Sequence, residues 1–185
     1  MDDTTAETRI LDAADRLFYE QGLRAVGMDQ VRDASGVSLK RIYRLFPAKE
    51  ELVAASLRRR DQAFTEAITA YTDRFATPRD KILGVFDFLD AWFREPDFRG
   101  CGFINAFAEM GASSGCVADA VRQQKHTFRD LIAGLVADAE APAVLADQLF
   151  ILANGAMASA AILKSPDSAR PARAAAESLL DATTP

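Results

Sequence analysis

Hydrophobic and polar positions alternate with a helical period along most of the chain. Near the N-terminus, Ile10, Ala14, Leu17 and Phe18 share one face of a helix predicted over about residues 6–21. Extended runs of β-branched residues are absent, and alanine and leucine are plentiful. The pattern therefore predicts an all-α protein with about nine helices.

Caps and breakers mark the ends of the predicted helices. Thr4 and Glu7 have the spacing of a capping box for the first helix, and Ser38 is positioned to cap the third. Pro47 ends the third helix and begins a fourth, which extends into the low seventies. The other predicted helices span about residues 28–34, 38–46, 79–94, 101–111, 117–139, 142–163 and 170–182.

A tight turn separates the second helix from the third. Val31 and Ala34 are expected to face inward, and Ser35-Gly36-Val37 forms the turn, with glycine accepting a left-handed backbone. A short helix, a glycine turn and a second helix are typical of a helix-turn-helix. The second helix of such a pair fits into the major groove of DNA.

The third helix carries two different faces. Ile42, Leu45 and Phe46 fall on one arc and predict a core face. The opposite arc carries Leu39, Lys40, Tyr43 and Arg44, with Arg41 at the border. Arginine and lysine can donate to guanine O6 and N7, and a tyrosine hydroxyl can bond a phosphate. Lys49, at the start of the fourth helix, would meet a phosphate beside free backbone N–H groups.

Charge is unevenly distributed along the chain. The formal net charge is −5, but residues 22–60 hold nine basic and four acidic groups. A basic segment in an acidic chain indicates either an anionic partner for that segment or a solvated basic surface. The third helix lies inside this segment.

Residues 27–53, GMDQVRDASGVSLKRIYRLFPAKEELV, resemble the DNA-binding segment of the tetracycline-repressor (TetR) family. The resemblance rests on Gly36-Val37-Ser38 and on the continuation Ile42-Tyr43-x-x-Phe46-Pro47-x-Lys49-Glu50-x-Leu52. That continuation is not a general feature of helix-turn-helix motifs. Two departures from the family pattern are Gly27, where a hydroxyl residue is common, and the cations Lys40 and Arg41. The operator sequence therefore cannot be transferred from the family.

The resemblance implies a helix-turn-helix DNA-binding head in residues 1–50 and a larger effector-binding and dimerisation domain in residues 51–185. It also implies a homodimer, a palindromic double-stranded DNA operator and repression relieved by a small molecule. By transfer, Tyr43 and Lys49 are phosphate contacts. The groove-facing set by the same transfer is Ser38, Leu39, Lys40, Arg41 and Arg44.

Beyond about residue 54 the resemblance is weak, and the expectations for this part of the chain rest on its hydrophobic pattern. Aromatic and sulphur-containing side chains are abundant there, and they suit either an ordinary core or the wall of a pocket for an apolar or aromatic effector. The candidate effector-binding residues are Phe64, Phe86, Trp92, Phe103, Phe107 and Met110.

The helix predicted over 142–163 is apolar almost all round, which requires burial on several sides. A second subunit is the expected cover, giving a four-helix bundle with the last helix across a two-fold axis; burial within a monomer core is the alternative. The candidate dimer residues are Leu149, Leu152, Ala156, Met157, Ala160 and Leu179.

Other functions are less compatible with the sequence. No phosphate loop or paired-histidine metal motif occurs, and the single histidine, His126, is expected on the surface, so we expect no enzymatic activity, cofactor or metal. Cys101 and Cys116 are expected to pack rather than to act as redox sensors. The N-terminus has no signal-peptide pattern, and the apolar run 149–163 is short for a membrane span, so we expect a soluble, cytoplasmic protein. An interaction protein without a small-molecule effector remains the alternative.

Overall fold

The computed structural model describes residues 2–183, and within them it contains helices and no strand. This confirms the predicted all-α class. A short 3-10 helix, Pro166–Ser168, precedes the last α-helix. The α-helices are α1 Asp3–Gln21, α2 Met28–Ser35, α3 Leu39–Leu45, α4 Lys49–Thr72, α5 Pro78–Phe93, α6 Gly102–Met110, α7 Gly115–Asp138, α8 Val144–Leu163 and α9 Ala169–Thr183.

The starts of two helices, and the cap of a third, differ from the predicted ones. α1 begins earlier because Asp2, rather than Thr4, is its N-cap, and the Asp2 carboxylate accepts the backbone N–H of Thr5 at 2.7 Å. Ser38 precedes α3 as predicted, but its hydroxyl accepts no capping hydrogen bond. α4 begins at Lys49 rather than at Pro47.

The chain divides into two compact units. Unit 1 combines the chain up to Gln62 with Gly102–Gln124, and unit 2 combines Ala63–Cys101 with the chain from Lys125 onward. Two helices, α4 and α7, therefore contribute residues to both units. Unit 1 thus contains α1, α2, α3, the first part of α4, α6 and the first part of α7.

In unit 1, α1 packs against α2 and α3, and α2 packs against α3. The core side chains that these helices bury are Ile10, Leu17, Phe18, Val31, Val37 and Ile42. Ala34 was expected to face inward but is exposed, and Ser35 is buried instead. The buried Ser35 hydroxyl accepts the backbone N–H of Val37 at 3.3 Å, which compensates for the loss of water.

The middle of α4 contacts α1 through a charged pair. Arg60 donates through Nε and Nη2 to the two oxygens of Asp15, each at 2.9 Å. Its guanidinium also lies over the ring of Tyr19, 4.3 Å from the ring centre. The two-pronged contact fixes the angle of α4 on α1, because a planar guanidinium and a carboxylate match in only a few geometries.

In unit 2, α9 packs against α5 and α8, and α5 also packs against α8. The buried side chains of these helices include Ile82, Phe86, Leu89, Leu145, Leu149, Met157 and Leu180. α5 passes close to Phe75, since a Cβ at Gly84 would lie 2.6 Å from that ring. Unit 2 therefore has an apolar core of its own, built on the wide apolar arc of α5.

Candidate functional site

The turn between α2 and α3 has the geometry that a helix-turn-helix requires. Gly36 adopts a left-handed backbone with φ of 65°, and its N–H donates to the carbonyl of Arg32 at 2.8 Å. A Cβ at this position would lie 2.8 Å from Nη2 of Arg9. The Arg9 guanidinium can move aside, but the left-handed backbone angle disfavours any residue with a Cβ, so glycine suits this turn.

α3 separates its faces as the sequence predicts. Ile42 and Phe46 are buried, whereas Lys40, Tyr43 and Arg44 are exposed, Tyr43 to 47%. Ser38 is also exposed, and Leu39, Arg41 and Lys49 are partly so. All seven candidate DNA-binding side chains therefore reach the surface of unit 1. We call the set Ser38, Leu39, Lys40, Arg41, Tyr43 and Arg44 the reading face.

Lys49 is the first residue of α4, where backbone N–H groups lack helical partners. Partial burial lowers the pKa of its ammonium, and the nearby carboxylates of Glu50 and Glu109 oppose that shift. A desolvated ammonium at a helix N-terminus is suited to an anion such as a phosphate. The position agrees with the predicted phosphate contact.

Much of the charge in the basic segment 22–60 is neutralised by the protein's own carboxylates. Arg32 pairs with Asp29 and Asp33, and Arg59 pairs with Asp12. Arg60 pairs with Asp15, and Arg41 and Arg44 both pair with Asp3. The local excess of positive charge in the sequence therefore overstates the field that DNA would meet.

Glu109, near the C-terminal end of α6, holds the loop between α1 and α2. Its carboxylate accepts the backbone N–H of Arg24 at 2.9 Å, and its carbonyl accepts Nε of the same arginine at 2.9 Å. A Cβ at Gly22 would lie 3.3 Å from both carboxylate oxygens. The C-terminal end of α6 is therefore bonded to the loop that leads into the helix-turn-helix.

Unit 2 contains a connected cluster of aromatic rings centred on Phe64. This ring makes edge-to-face contacts with Phe88, Trp92 and Phe128, at centroid distances of 5.7, 5.7 and 5.6 Å. Phe128 in turn meets Phe150 at 5.9 Å. We call these five rings the aromatic cluster. Phe128 is buried and the other four are partly exposed, so the cluster has accessible ring surface.

A polar pair lies one helical turn from the aromatic cluster. Lys125 precedes Phe128 by three residues on α7, and Asn154 follows Phe150 by four on α8. The Lys125 ammonium donates to Oδ1 of Asn154 at 2.7 Å, and the Asn154 amide donates to the Phe150 carbonyl at 2.8 Å. Lys125 also approaches the thiol of Cys101 at 3.5 Å. The partly buried ammonium therefore contacts an amide oxygen and a sulfur atom.

The other candidate effector residues occupy varied positions. Phe86 is buried and lines a gap beside Ile132 and Leu149 that is too small for a water molecule. In unit 1, Phe103 and Met110 are buried, whereas Phe107 is 51% exposed. The structure therefore brings together only Phe64 and Trp92 of the candidate set, and it adds Phe88, Phe128 and Phe150.

Two family models match the sequence. The model for bacterial regulatory proteins of the TetR family matches residues 10–56, and the model for the tetracyclin repressor-like C-terminal domain matches residues 78–176. The first range contains the helix-turn-helix, and the second contains four of the five rings of the aromatic cluster, all but Phe64. The chain belongs to the TetR family.

Solved structures of TetR-family proteins agree with the fold over nearly the whole chain. SCO4454, a TetR-family transcriptional regulator from Streptomyces coelicolor, is 28% identical, with a TM-score of 0.87 over 98% of this chain and 97% of its own. A TetR-type transcriptional regulator from Streptomyces avermitilis is 30% identical, with a TM-score of 0.85 over 96% and 97%. The TetR architecture therefore extends through both units.

Curated relatives match over a shorter segment. FasR, an HTH-type transcriptional activator of Mycolicibacterium smegmatis, is 33% identical over 86 residues. The aligned segment covers 44% of this chain and 39% of FasR. The match to these curated relatives therefore spans well under half of their length.

The candidate dimer residues of this TetR-family chain lie mainly inside one protomer. Leu149, Ala156, Met157 and Ala160 are buried in the core of unit 2, and Leu152 and Leu179 are partly buried. A different row of α8 is exposed. It contains Val144, Ile151, Ile162 and Leu163, with Ile151 exposed to 68%.

The exposed α8 row also bears on the membrane question. α8 is long and apolar enough to cross a membrane by length and composition, and it is the one such helix among the residues the structure describes. One side of it nevertheless forms the core of unit 2, through Leu145, Leu149 and Met157. A helix with one apolar side in the core and a second apolar row exposed is typical of a core helix whose exposed row meets a partner subunit.

Proposed function

We propose that this chain is a homodimeric, ligand-responsive transcriptional regulator that binds a palindromic operator through α3. The observation that carries the proposal is the reading face, a row of cations, a phenol and a hydroxyl exposed opposite a buried Ile42. Lys40, Arg41 and Arg44 supply donors for base edges and phosphates, and Tyr43 and Lys49 supply phosphate contacts. These residues would bind DNA by charge and hydrogen bonding, and no catalytic step is proposed for them.

We propose that the dimer forms through the exposed row of α8. Val144, Ile151 and Ile162 recur at intervals of seven and eleven residues, which keeps them on one side of the helix. The same surface from a second copy would cover them across a two-fold axis. Two symmetric reading faces would then contact two half-sites, about one DNA turn apart or a multiple of it.

We propose that the effector is a small aromatic or apolar compound bound at the aromatic cluster. Four partly exposed rings supply an apolar wall, and Lys125 with Asn154 supplies a polar end. Because the ammonium contacts an amide oxygen there, an effector with a carboxylate would compete for it with a charge-assisted hydrogen bond. Of the predicted set, Phe64 and Trp92 would take part directly. The roles of Phe86, Phe103, Phe107 and Met110 stay as predicted from the sequence.

The proposed mechanism is a population shift between two arrangements of the dimer. DNA selects the arrangement in which the reading faces fit the two half-sites, and an effector that binds another arrangement better draws the protein away from DNA. α4 contributes residues to both units, so it is the proposed connection between the effector site and the reading face. Within unit 1, the Glu109 contact joins α6 to the loop before α2.

We propose that the output is repression in the cytoplasm, as the family resemblance implies. FasR, which matches part of this chain, is named as an activator, so the direction must be measured for this protein. In vitro transcription from the chain's own upstream region would measure it. A repressor lowers the transcript and the effector restores it, whereas an activator raises the transcript.

The test of DNA recognition is fluorescence anisotropy with a duplex taken from the upstream region of the chain's own gene. The titration would be run at two salt concentrations, beside a shuffled duplex and the Tyr43→Ala, Arg44→Ala double variant. Tight binding to the upstream duplex alone, lost in the double variant, would support the proposal. Equal, steeply salt-dependent binding to both duplexes would contradict sequence-specific recognition at that region.

A regulator without an effector is the alternative function. It would bind the operator with an affinity that no small molecule changes. Trp92 is the only tryptophan and belongs to the aromatic cluster, so its fluorescence reports occupancy directly. A screen of aromatic acids and neutral aromatic compounds that changes neither Trp92 fluorescence nor operator affinity would favour this alternative.

A further inference from the structure

The first turn of α1 holds the two arginines at the reading face. Asp3 Oδ1 accepts Nε of Arg41 at 3.1 Å and Nη2 of Arg41 at 2.6 Å. The same oxygen also accepts Nη2 of Arg44. One carboxylate oxygen therefore engages two guanidinium groups from a segment that lies 38 and 41 residues further along the chain.

The contact is charged at neutral pH. The hydrogen bond from Arg41 is the main cause that lowers the pKa of Asp3, and the positive charges of Arg44 and Arg41 act in the same direction. Asp3 therefore remains a carboxylate wherever the protein functions near neutrality. Its negative charge lies at the surface where the proposed DNA phosphates would approach.

A purely structural role for Asp3 is the simplest alternative. An acidic residue in the first turn of a helix interacts favourably with the helix dipole, and α1 has Asp3 at that position. However, the N-cap of α1 is Asp2, whose carboxylate already accepts the backbone N–H of Thr5. The Asp3 side chain instead points its acceptor at Arg41 and Arg44, which no requirement of α1 explains.

We propose that Asp3 competes with DNA for Arg41 and Arg44 and thereby sets the affinity of the reading face for every duplex. This inference rests on the proposed function, since it assumes that α3 binds DNA. A guanidinium bound to Asp3 must leave that carboxylate before it donates to a base edge or a phosphate. The binding-competent fraction of the protein is reduced accordingly, and the apparent dissociation constant rises by the same factor.

The competition is weak enough to be displaced. All three side chains are at least partly exposed, so each ion pair is screened by water and salt. An operator that offers both phosphates and guanine acceptors would outcompete a single carboxylate. Asp3 would thus weaken chance encounters with DNA without abolishing regulated binding, because the cost of releasing the arginines is equal for all duplexes.

The experiment compares Asp3→Asn with a matched control, Asp12→Asn. The two aspartates lie on α1, are 56% and 57% exposed, and pair with arginines. Arg59, the partner of Asp12, is outside the reading face. Both substitutions change the net charge equally, so a difference between them reports the position of the carboxylate rather than its charge. Thermal unfolding of both variants would exclude a folding defect as the cause.

Anisotropy with the upstream and shuffled duplexes gives the readout. We expect Asp3→Asn to tighten binding to both duplexes by about three- to tenfold at low salt, as expected for two exposed ion pairs, and Asp12→Asn to change it less than about twofold. We expect the salt dependence of log K to steepen by about one for Asp3→Asn, because additional phosphate charge is neutralised. In an Arg41→Ala, Arg44→Ala background, the effect of Asp3→Asn should fall to that of Asp12→Asn.

Two results would overturn the inference while leaving the proposed function intact. Equal effects of Asp3→Asn and Asp12→Asn would mean that only net charge matters. Weaker operator binding by Asp3→Asn would mean that Asp3 orients the arginines for DNA rather than competing with it. By contrast, a wild-type protein that binds neither duplex would contradict the proposed function itself. The titration of the wild-type protein alone shows this, without any variant.

Discussion

The two units present their functional side chains in opposite ways. In unit 1 the candidate DNA contacts project from a small core, as the 47% exposure of Tyr43 illustrates. In unit 2 the aromatic cluster is partly enclosed, and Phe128 is buried. DNA carries its phosphates on a large surface and requires exposed donors, whereas a small ligand requires a wall that excludes water. Exposure therefore distinguishes the candidate DNA contacts from the core of unit 1, but it does not distinguish the candidate effector residues from the core of unit 2.

The largest effect that we expect comes from breaking the dimer through unit 2. Ile151→Glu places a charge in the exposed row of α8, which would be buried between two copies. We expect a monomer whose operator affinity falls by at least about a hundredfold, because two linked reading faces gain from effective concentration. Sedimentation velocity and anisotropy would measure both.

The control for that variant is Ala137→Glu, at an exposed position on α7 outside the α8 row. It should remain dimeric with unchanged affinity. A dimeric Ile151→Glu would show that the subunits meet elsewhere.

Removing one cation from the reading face tests unit 1 with a smaller expected loss. Arg44→Ala should weaken operator binding by about 1–3 kcal/mol, the range for one good arginine contact to a base. Its matched control is Arg122→Ala, since the two side chains are 60% and 61% exposed and each pairs with an aspartate. Equal operator affinities for the two variants would remove Arg44 from the reading face.

The turn before α3 offers a test of the scaffold rather than of the contacts. Gly36→Val forces a β-branched residue into a backbone with φ of 65° and against Arg9. We expect a loss of about 1–2 kcal/mol from the left-handed backbone, because the end of the Arg9 side chain can move aside. Thermal unfolding would measure it. Gly134→Ala is the control, because its Cβ would meet no atom within 4 Å and should leave stability unchanged or raise it by up to about 1 kcal/mol.

The smallest expected effect concerns the polar pair of unit 2. Lys125→Met keeps the length and apolar stem of the side chain and removes its charge. We expect the affinity for 1-naphthoate, followed by Trp92 fluorescence, to fall by about tenfold, as for one hydrogen bond to a charged group. Binding of naphthalene, which lacks the carboxylate, should change little. Equal losses for the two compounds would assign Lys125 a packing role only.

The sequence predicted which side chains of α3 are exposed, because that information is local. The helix-turn-helix and its continuation occupy residues 27–53, so period and turn chemistry place each side chain on its face. The positions of Ile42, Tyr43 and Arg44 followed from a helical wheel alone. The exposed Ala34 and the buried Ser35 differ, because a hydroxyl bonded to Val37 is stable in the turn.

Contacts between distant residues were not predictable in this way. Phe64 and Phe128 lie on different helices, and no single period relates them. The Asp3 carboxylate reaches Arg41 across 38 residues, so a count of charges in one segment misses the neutralisation. Likewise, the apolar character of α8 predicted burial on several sides. Only the packing in unit 2 showed that Ile151 lies on a side that is exposed in one protomer.

DNase footprinting of the wild-type protein on its own upstream region tests the central claim most directly. The claim is that a two-fold dimer reads DNA with two copies of α3. We expect protection of two similar, inverted half-sites, with centres separated by about 10–10.5 base pairs or a multiple of that spacing. Protection of a single unsymmetrical segment, or uniform protection without sequence preference, would contradict it.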